Sequence, residues 1–297
     1  MVTPGGWSAT VGDLARPSGG FAMVAIDQRE ALRGMIARGR GVTAGDRELS
    51  RFKVEVARVL SPYASGMLVD LPYGLGPIVE AGALHEGCRL IVAVDVLESV
   101  AGGPAKGSRF DEEVDVGSLR EVGARALKLL VIWRAGDDRE ARSSMMTRFL
   151  DRCHSARLPG IIEVVVRPPR DGVAWDREAE AILAAGEVAG LSPDLYKTEV
   201  PLLGLGDDEG IRLRCREITD ALPCPWVVLS SGVSIDAFPR AVQLACEGGA
   251  AGFLAGRAIW SDCVGDVDWA AALARVALPR LKHLAGIVDE TVGGGYR

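Results

Sequence analysis

Short apolar runs alternate with longer segments of helical spacing along most of this chain. The runs are Phe21 to Ile26, Gly66 to Val69, Leu90 to Val94, Ala126 to Ile132, Ile161 to Val166, Leu195 to Val200, Trp226 to Leu229 and Gly252 to Ala255. They are too short for buried helices and rich in Val, Ile and Leu, so they read as strands. Between them, Arg47 to Leu60 places Phe52, Val56, Val59 and Leu60 along one helical face. Asp138 to Ala156, Asp176 to Ala189, Asp208 to Leu222 and Ile235 to Cys246 carry the same spacing. Ser234 and Asp208 stand where helix N-caps are expected. Trp269 to Val292 predicts a long amphipathic helix interrupted at Pro279.

Eight strands alternating with helices predict a (β/α)8 TIM barrel of the α/β class. Strands that are apolar throughout fit a parallel barrel covered on both faces. An open doubly wound sheet would want a glycine-rich turn after the first strand, and Asp27-Gln28-Arg29-Glu30 is no such turn. No linker or internal repeat divides the chain. The expectation is one domain over residues 1–297, with 1–17 as an N-terminal extension and 268–297 as a C-terminal helix and tail. Glu98 to Gly107 is rich in glycine and predicts a mobile insertion after the third strand.

Polar residues interrupt this apolar pattern at the carboxyl ends of the strands, where barrels of this kind place their chemistry. Asp27, Asp70, Lys128, Glu163, Lys197, Ser231 and Arg257 all fall at such ends or inside the strands. Asp27 and Asp70 also suit helix caps. Several buried charges at once need partners, so a shared pocket is the economical reading. Lys197 is the most informative of them. A lysine inside a strand of a barrel is buried, and burial favours the free amine, which attacks carbonyls to form a Schiff base. Lys128 beside it would act as a second ammonium that tunes its pKa, and Glu163 would move protons. Ser230-Ser231-Gly232 and Gly256-Arg257 follow the last two strands, the usual phosphate position of this fold.

Composition narrows the class without changing it. The chain has 297 residues, 48% hydrophobic and 25% charged, with a formal net charge of −6 that no block of like charges concentrates. That balance excludes a polyanion-binding surface, so neither nucleic acid nor an anionic membrane is an expected partner. The amino terminus carries Pro4, Gly5, Gly6 and Trp7 where a secretory leader would be basic and then apolar. No apolar run approaches the ~20 residues of a membrane span. Cys88, Cys153, Cys215, Cys224, Cys246 and Cys263 include no C-x-x-C pair and read as reduced thiols of a cytoplasmic protein. His85, His154 and His283 fall on helical or loop segments and form no H-x-x-x-H pair, so metal catalysis is not expected. Trp133, Trp226 and Trp260 read as core. The long C-terminal helix is the expected surface for association of identical copies.

These residues sit in segments that resemble a known family. Ser18 to Leu32, Leu60 to Ser65, Ala126 to Arg134, Val165 to Arg170, Asp194 to Lys197, Leu229 to Val233, Phe253 to Trp260 and Ile287 to Glu290 are similar to the class I aldolases of the tagatose-1,6-bisphosphate aldolase superfamily. Within it they are most similar to the sulfofructosephosphate aldolases. The resemblance implies retro-aldol cleavage of 6-deoxy-6-sulfofructose 1-phosphate to dihydroxyacetone phosphate and 3-sulfolactaldehyde, without a cofactor or metal. It implies Lys197 as the Schiff-base lysine, Glu163 and Lys128 in proton transfer and pKa tuning, and Asp27 on substrate hydroxyls. Ser231, Gly232, Gly256 and Arg257 would hold the C1 phosphate. Gln28 and Arg29, at the mouth of the first strand, are the expected sulfonate contacts, with Asp70 as a further substrate ligand. Asp70-Leu-Pro-Tyr-Gly-Leu-Gly-Pro77 looks nearer to the tagatose branch, which keeps a tagatose- or fructose-1,6-bisphosphate aldolase as the alternative. A divalent-metal lyase and a non-catalytic sugar-phosphate-binding barrel are the remaining rivals. The absent histidine cluster argues against the first, and the pair Glu163 and Lys197 against the second.

Overall fold

A computed structural model describes residues 9–41, 43–99, 101–103 and 105–294. Among these residues ten strands form: β1 Phe21–Ile26, β2 Gly66–Asp70, β3 Arg89–Ala93, β4 Asp95–Ser99, β5 Ala105–Phe110, β6 Ala124–Trp133, β7 Gly160–Val166, β8 Leu195–Glu199, β9 Trp226–Leu229 and β10 Gly252–Ala255. Eight of them close a parallel barrel in the order β1-β10-β9-β8-β7-β6-β3-β2, the (β/α)8 architecture expected from the alternation.

Strand alternation sorts the side chains into two layers. Odd positions of β1 (Phe21, Met23, Ala25) point inward with Leu68, Ile91, Ala93, Ala126, Ile161, Leu195, Val227 and Leu254. The outward positions, including Val24, Val69, Leu129, Val164, Tyr196 and Val228, pack under the helices as a second core. The helix Asp46–Leu60 buries Leu49, Phe52, Val56, Ala57 and Leu60 against that outer face, while Val59 is half-buried. Trp133, Trp226 and Trp260 are buried in the same outer core.

Several expectations need correction. Most of the described residues of 98–107 carry strand structure rather than a glycine-rich loop. Asp95–Ser99 and Ala105–Phe110 pair antiparallel as a hairpin, and Ser108 Oγ anchors it by donating to the Leu130 carbonyl at 2.6 Å. Val100 and Pro104 at its tip lie outside the described residues. The segment before β1 contributes Val11 and Leu14 to the barrel-interior cluster, where they close its amino-terminal end. The cap of the helix Asp208–Ala221 is Asp207, accepting from Gly210 N at 2.7 Å, rather than Asp208. The helix expected from Ile235 starts at Phe238, with Ser234 Oγ accepting from Ala237 N at 3.2 Å in the turn before it.

Pro279 does not break the last helix. A π turn over Leu273–Ala277 joins Trp269–Ala272 to Leu278–Gly293, and Pro279 sits just inside the latter. Proline removes one amide donor and crowds the carbonyl four residues back, and the wider π turn accommodates both effects. Pro4, Gly5, Gly6 and Trp7 lie outside the described residues. All six cysteines are free thiols, Cys224 half-buried and the others buried. Among the described residues, no helix is long and apolar enough to cross a membrane.

Candidate active site

The inward stripes change character from apolar to charged at one step along each strand. Ala25 is followed by Asp27, Ala126 by Lys128, Ile161 by Glu163 and Leu195 by Lys197. Parallel register then makes neighbours of them. Glu163 on β7 pairs with Lys197 on β8, and Lys128 on β6 pairs with Ala93 on β3. Because side chains of paired residues share a face, Glu163 and Lys197 meet without any loop having to place them.

Lys128 Nζ is the centre of the site. It lies 2.7 Å from Asp27 Oδ2, 2.8 Å from Asp95 Oδ2 and 3.2 Å from Glu163 Oε2. Glu163 Oε2 also lies 3.0 Å from Lys197 Nζ, so one carboxylate oxygen faces both ammonium groups. These two contacts are charge contacts and lack the alignment of hydrogen bonds. Burial raises Asp27, but Lys128 and then Lys197 outweigh it and hold this carboxyl well below the usual carboxylate range. Burial lowers Lys128, but Asp27, Asp95 and Glu163 outweigh it and raise this ammonium well above an ordinary lysine. Lys128 is therefore a fixed cation. Lys197, only 3% exposed, has one carboxylate within ion-pair distance.

A second layer of charge holds this cluster. Arg29 donates to the Asp95 carbonyl at 2.8 Å and to Asp95 Oδ1 at 3.0 Å, and Leu130 N donates to Asp95 Oδ2 at 3.1 Å. Lys53, fully buried on the helix Asp46–Leu60, pairs with Asp70 and donates to the carbonyls of Ile26 and Gln28 at 3.0 and 2.8 Å. Burial pushes Lys53 below and Asp70 above their ordinary ranges, the mark of a dry ion pair. Lys53 thereby ties down the backbone on both sides of Asp27.

The opening at the carboxyl ends of the strands is lined by Asp27, Gln28, Arg29, Lys128, Glu163, Lys197, Ser231, Gly256 and Arg257, among others. It leaves about 170 Å³ accessible to the centre of a water molecule. Gln28 Oε1 is buried there without a hydrogen-bond partner. Ser230 Oγ accepts from Ala258 N at 3.4 Å and links the ends of β9 and β10. Gly256 is required by close approach, since a Cβ there would collide with the Ala25 carbonyl. Gly232 turns the chain at φ +82°, a conformation that favours glycine. Arg257 is exposed.

The structure thus brings Asp27, Lys128, Glu163 and Lys197 together as expected and separates others from them. Asp70 does not line the cavity. Its carboxylate is spent on Lys53 and on Tyr73 N at 3.1 Å, capping the turn that follows β2. Arg29 lines the wall, but its guanidinium is turned onto Asp95. Gly232 is in the exposed turn beside Ser231 and is not part of the cavity wall. Two residues of the cluster escaped the sequence analysis, and each left a signal. Asp95 ends its apolar run as Asp27 and Asp70 end theirs. Lys53 stands on the helical stripe of Leu49, Val56 and Leu60, where a lysine is out of place.

Chemically, the site offers a buried lysine beside a carboxylate, a permanent cation, a cavity and an exposed arginine. Among the described residues no group of three or more His, Cys, Asp or Glu is placed to hold a metal ion, and the converging carboxylates enclose an ammonium.

Comparison with known proteins follows the same lines. The chain is 28% identical over 274 residues to a tagatose 1,6-diphosphate aldolase of Listeria monocytogenes, covering 84% of this chain and 80% of that one. It is 29% identical over 279 residues to tagatose 1,6-diphosphate aldolase 1 of Enterococcus faecalis, covering 85% and 83%. Its fold is similar to an archaeal fructose-1,6-bisphosphate aldolase whose catalytic Lys is bound to the carbinolamine intermediate, at TM-score 0.61 and 15% identity over 94% of this chain and 98% of that one. The fructose-bisphosphate aldolase of Slackia heliotrinireducens is similar at TM-score 0.63 and 17% identity, covering 96% and 94%. Residues 21–262 match the model of the DeoC/LacD family aldolases. That match runs from β1 through the residues after β10, and the chain belongs to the DeoC/LacD aldolase family.

Proposed function

We propose that this protein is a class I aldolase that cleaves a ketohexose 1-phosphate through a Schiff base on Lys197. The observation that carries the reading is Glu163 Oε2 standing 3.0 Å from Lys197 Nζ and 3.2 Å from Lys128 Nζ. Lys128 is bound by three carboxylates and stays an ammonium, so Lys197 is the amine that meets the substrate. Its nitrogen adds to the C2 carbonyl, and Glu163 relays the protons that convert the carbinolamine to an iminium with loss of water. The iminium then accepts the electron pair of the C3–C4 bond as the C4 hydroxyl loses its proton. An aldehyde leaves, and the enamine is protonated and hydrolysed to dihydroxyacetone phosphate. Asp27 and Gln28 would receive substrate hydroxyls, and the C1 phosphate would rest against Ser231, Gly256 and Arg257; all five line the opening.

Among ketohexose 1-phosphates we put forward 6-deoxy-6-sulfofructose 1-phosphate, on the resemblance of the segments ending in Arg134 and Arg170 to sulfofructosephosphate aldolases; the aldehyde is then 3-sulfolactaldehyde. The second reading is a 1,6-bisphosphate of tagatose or fructose. It is favoured by the names of the Listeria and Enterococcus relatives and by the segment Asp70 to Pro77. Borohydride reduction in the presence of dihydroxyacetone phosphate, read by peptide mass spectrometry, tests the mechanism. A reduced adduct on Lys197, absent from Lys197→Ala, is the expected result, and an adduct elsewhere or none would sink it. Comparing kcat/KM on the sulfosugar and on the bisphosphates decides between the two readings.

A further inference from the structure

A substrate with a second anion at C6 needs a second set of donors, and most cations of the cavity are already engaged. The lysines and arginines in its lining are Arg29, Lys128, Arg167, Lys197 and Arg257. Arg29 is committed to Asp95 through both Nη atoms, which leaves only its Nε, buried and without a hydrogen-bond partner; Lys128 is committed to three carboxylates and Lys197 to Glu163. Arg257 stands at the end of β10, by the expected C1 phosphate. That leaves Arg167, immediately after β7. Its Nη1 donates to the Val166 carbonyl at 2.7 Å and to Glu199 Oε1 at 3.2 Å. Those two bonds fix the guanidinium in place from one corner, and neither uses Nε or Nη2.

The surroundings of Arg167 are cationic. Trp133 and Val166 are paired at the ends of β6 and β7, so Arg134 and Arg167 leave the barrel side by side, and Arg167 N donates to the Trp133 carbonyl at 2.9 Å. Arg134 and Arg170 both approach the carboxylate of Asp137, at 3.9 and 3.2 Å. Glu199 partners Arg167 but is shared with Arg177, at 3.6 Å. Burial and the like charge of Arg170, with a further contribution from Arg167, push Arg134 below an ordinary arginine, against the pull of Asp137. Arginines outnumber the carboxylates in this cluster, and β6 lies opposite β10 in the ring. The ends of β6 and β10 thus lie across the barrel mouth from each other.

We infer that Arg167, backed by Arg134 and Arg170, is the subsite for a tetrahedral oxyanion on C6 of the substrate, in place of Arg29. Arg167 presents two donors of a planar fork to the oxyanion, and its neighbours add charge without filling the space. The inference rests on the aldolase reading above and names the substrate class of that same site: a ketohexose 1-phosphate with a phosphate ester or a sulfonate at C6.

The test is the preference ratio, kcat/KM for the C6-anionic substrate divided by that for fructose 1-phosphate, whose C6 carries only a hydroxyl. It is measured with the 6-sulfonate and with the 6-phosphate on wild type, Arg167→Gln and Arg134→Gln. Arg167→Gln is expected to lower the ratio about 10- to 100-fold, the loss of one charge-assisted pair. Arg134→Gln, which gives up only a carbonyl contact and one long ion pair, is expected to lower it about 2- to 10-fold. The substrate with the higher wild-type ratio identifies the oxyanion. A wild-type ratio near one, or a ratio unmoved in both variants while the Lys197 adduct still forms, overturns the subsite and leaves the aldolase reading standing. Absence of the adduct in the wild type removes both.

Discussion

The two ends of the barrel interior are built from the same strands and the same inward-facing positions, two residues apart, yet they do opposite work. At the floor, Ala126, Ile161 and Leu195 pack with Phe21, Leu68 and Val227 under a lid of Val11 and Leu14. At the mouth, one step further along, Lys128, Glu163 and Lys197 form a chain of charges with Asp27 and Asp95. The floor gains stability from apolar area removed from water. The mouth accepts the desolvation of five charged groups, offset by mutual pairing, to hold an amine and a carboxylate at 3.0 Å. The difference teaches that stability and chemistry are separated along the barrel axis, not between strands.

The separation breaks most sharply at Lys197. Lys197→Ala is expected to lower aldol cleavage by about 10⁴-fold or more, because no other amine is placed to form the iminium. Its melting temperature should move little in a thermal scan, since the floor is untouched.

Lys128→Met should do both kinds of damage. It leaves Asp27, Asp95 and Glu163 facing one another, an expected loss of about 3–5 kcal/mol in urea unfolding at neutral pH. The pH dependence follows from the direction of each shift. Asp27 is depressed, so its contribution is present above the unfolded carboxylate value of about 3.9 and is lost on acidification below it. Lys128 is raised, so its contribution is present below the unfolded lysine value of about 10.4 and is lost above it. The stability gap between wild type and Lys128→Met should be large at neutral pH and shrink on acidification, because the unpaired carboxylates of the variant take up protons before Asp27 of the wild type does. A gap that widens in acid would contradict the assignment.

Leu195→Ala, on the same strand as Lys197, sharpens the comparison from the floor. Removing this buried side chain should cost about 2–5 kcal/mol in denaturant unfolding while kcat at low temperature changes less than about threefold. A large fall in kcat with intact folding would show that floor packing governs the mouth.

The smallest effect concerns the outer core. Burial pushes the thiols of Cys88, Cys224 and Cys246 up to about 12 and that of Cys263 up to about 11. Iodoacetamide at pH 8 should therefore label the folded protein slowly, starting at the half-buried Cys224, and all six cysteines rapidly in urea.

The barrel was legible because its strands are apolar on both faces, and buried parallel strands write themselves as runs of Val, Ile and Leu. Lys128, Glu163 and Lys197 were legible for the same reason: a charge inside such a run has nowhere to go but the lumen. The hairpin at β4 and β5 was not, because its exposed residues and glycines carry no buried stripe; contacts from distant residues order it, among them Ser108 to the Leu130 carbonyl and Asp95 to Lys128 and Arg29. Lys53 was hidden by its helix, where a lysine ordinarily reaches solvent; the two carbonyls it bonds, of Ile26 and Gln28, lie at and just after the end of β1, far away in sequence.

The sequence by itself determined the class of fold, the strands that carry charge and the identity of the candidate lysine, since burial pattern and period are local properties of the chain. Tertiary structure alone decided which charge meets which. Asp27 and Asp70 look alike as aspartates at strand ends, but Lys53 reaches Asp70 and leaves Asp27 to Lys128. Arg29 and Arg167 likewise look alike as arginines at strand ends, but Asp95 engages both ends of the Arg29 guanidinium, whereas Val166 and Glu199 hold Arg167 by one corner. Pairing of charges depends on distances of a few ångströms between residues far apart in the chain, and only the closed barrel sets those distances.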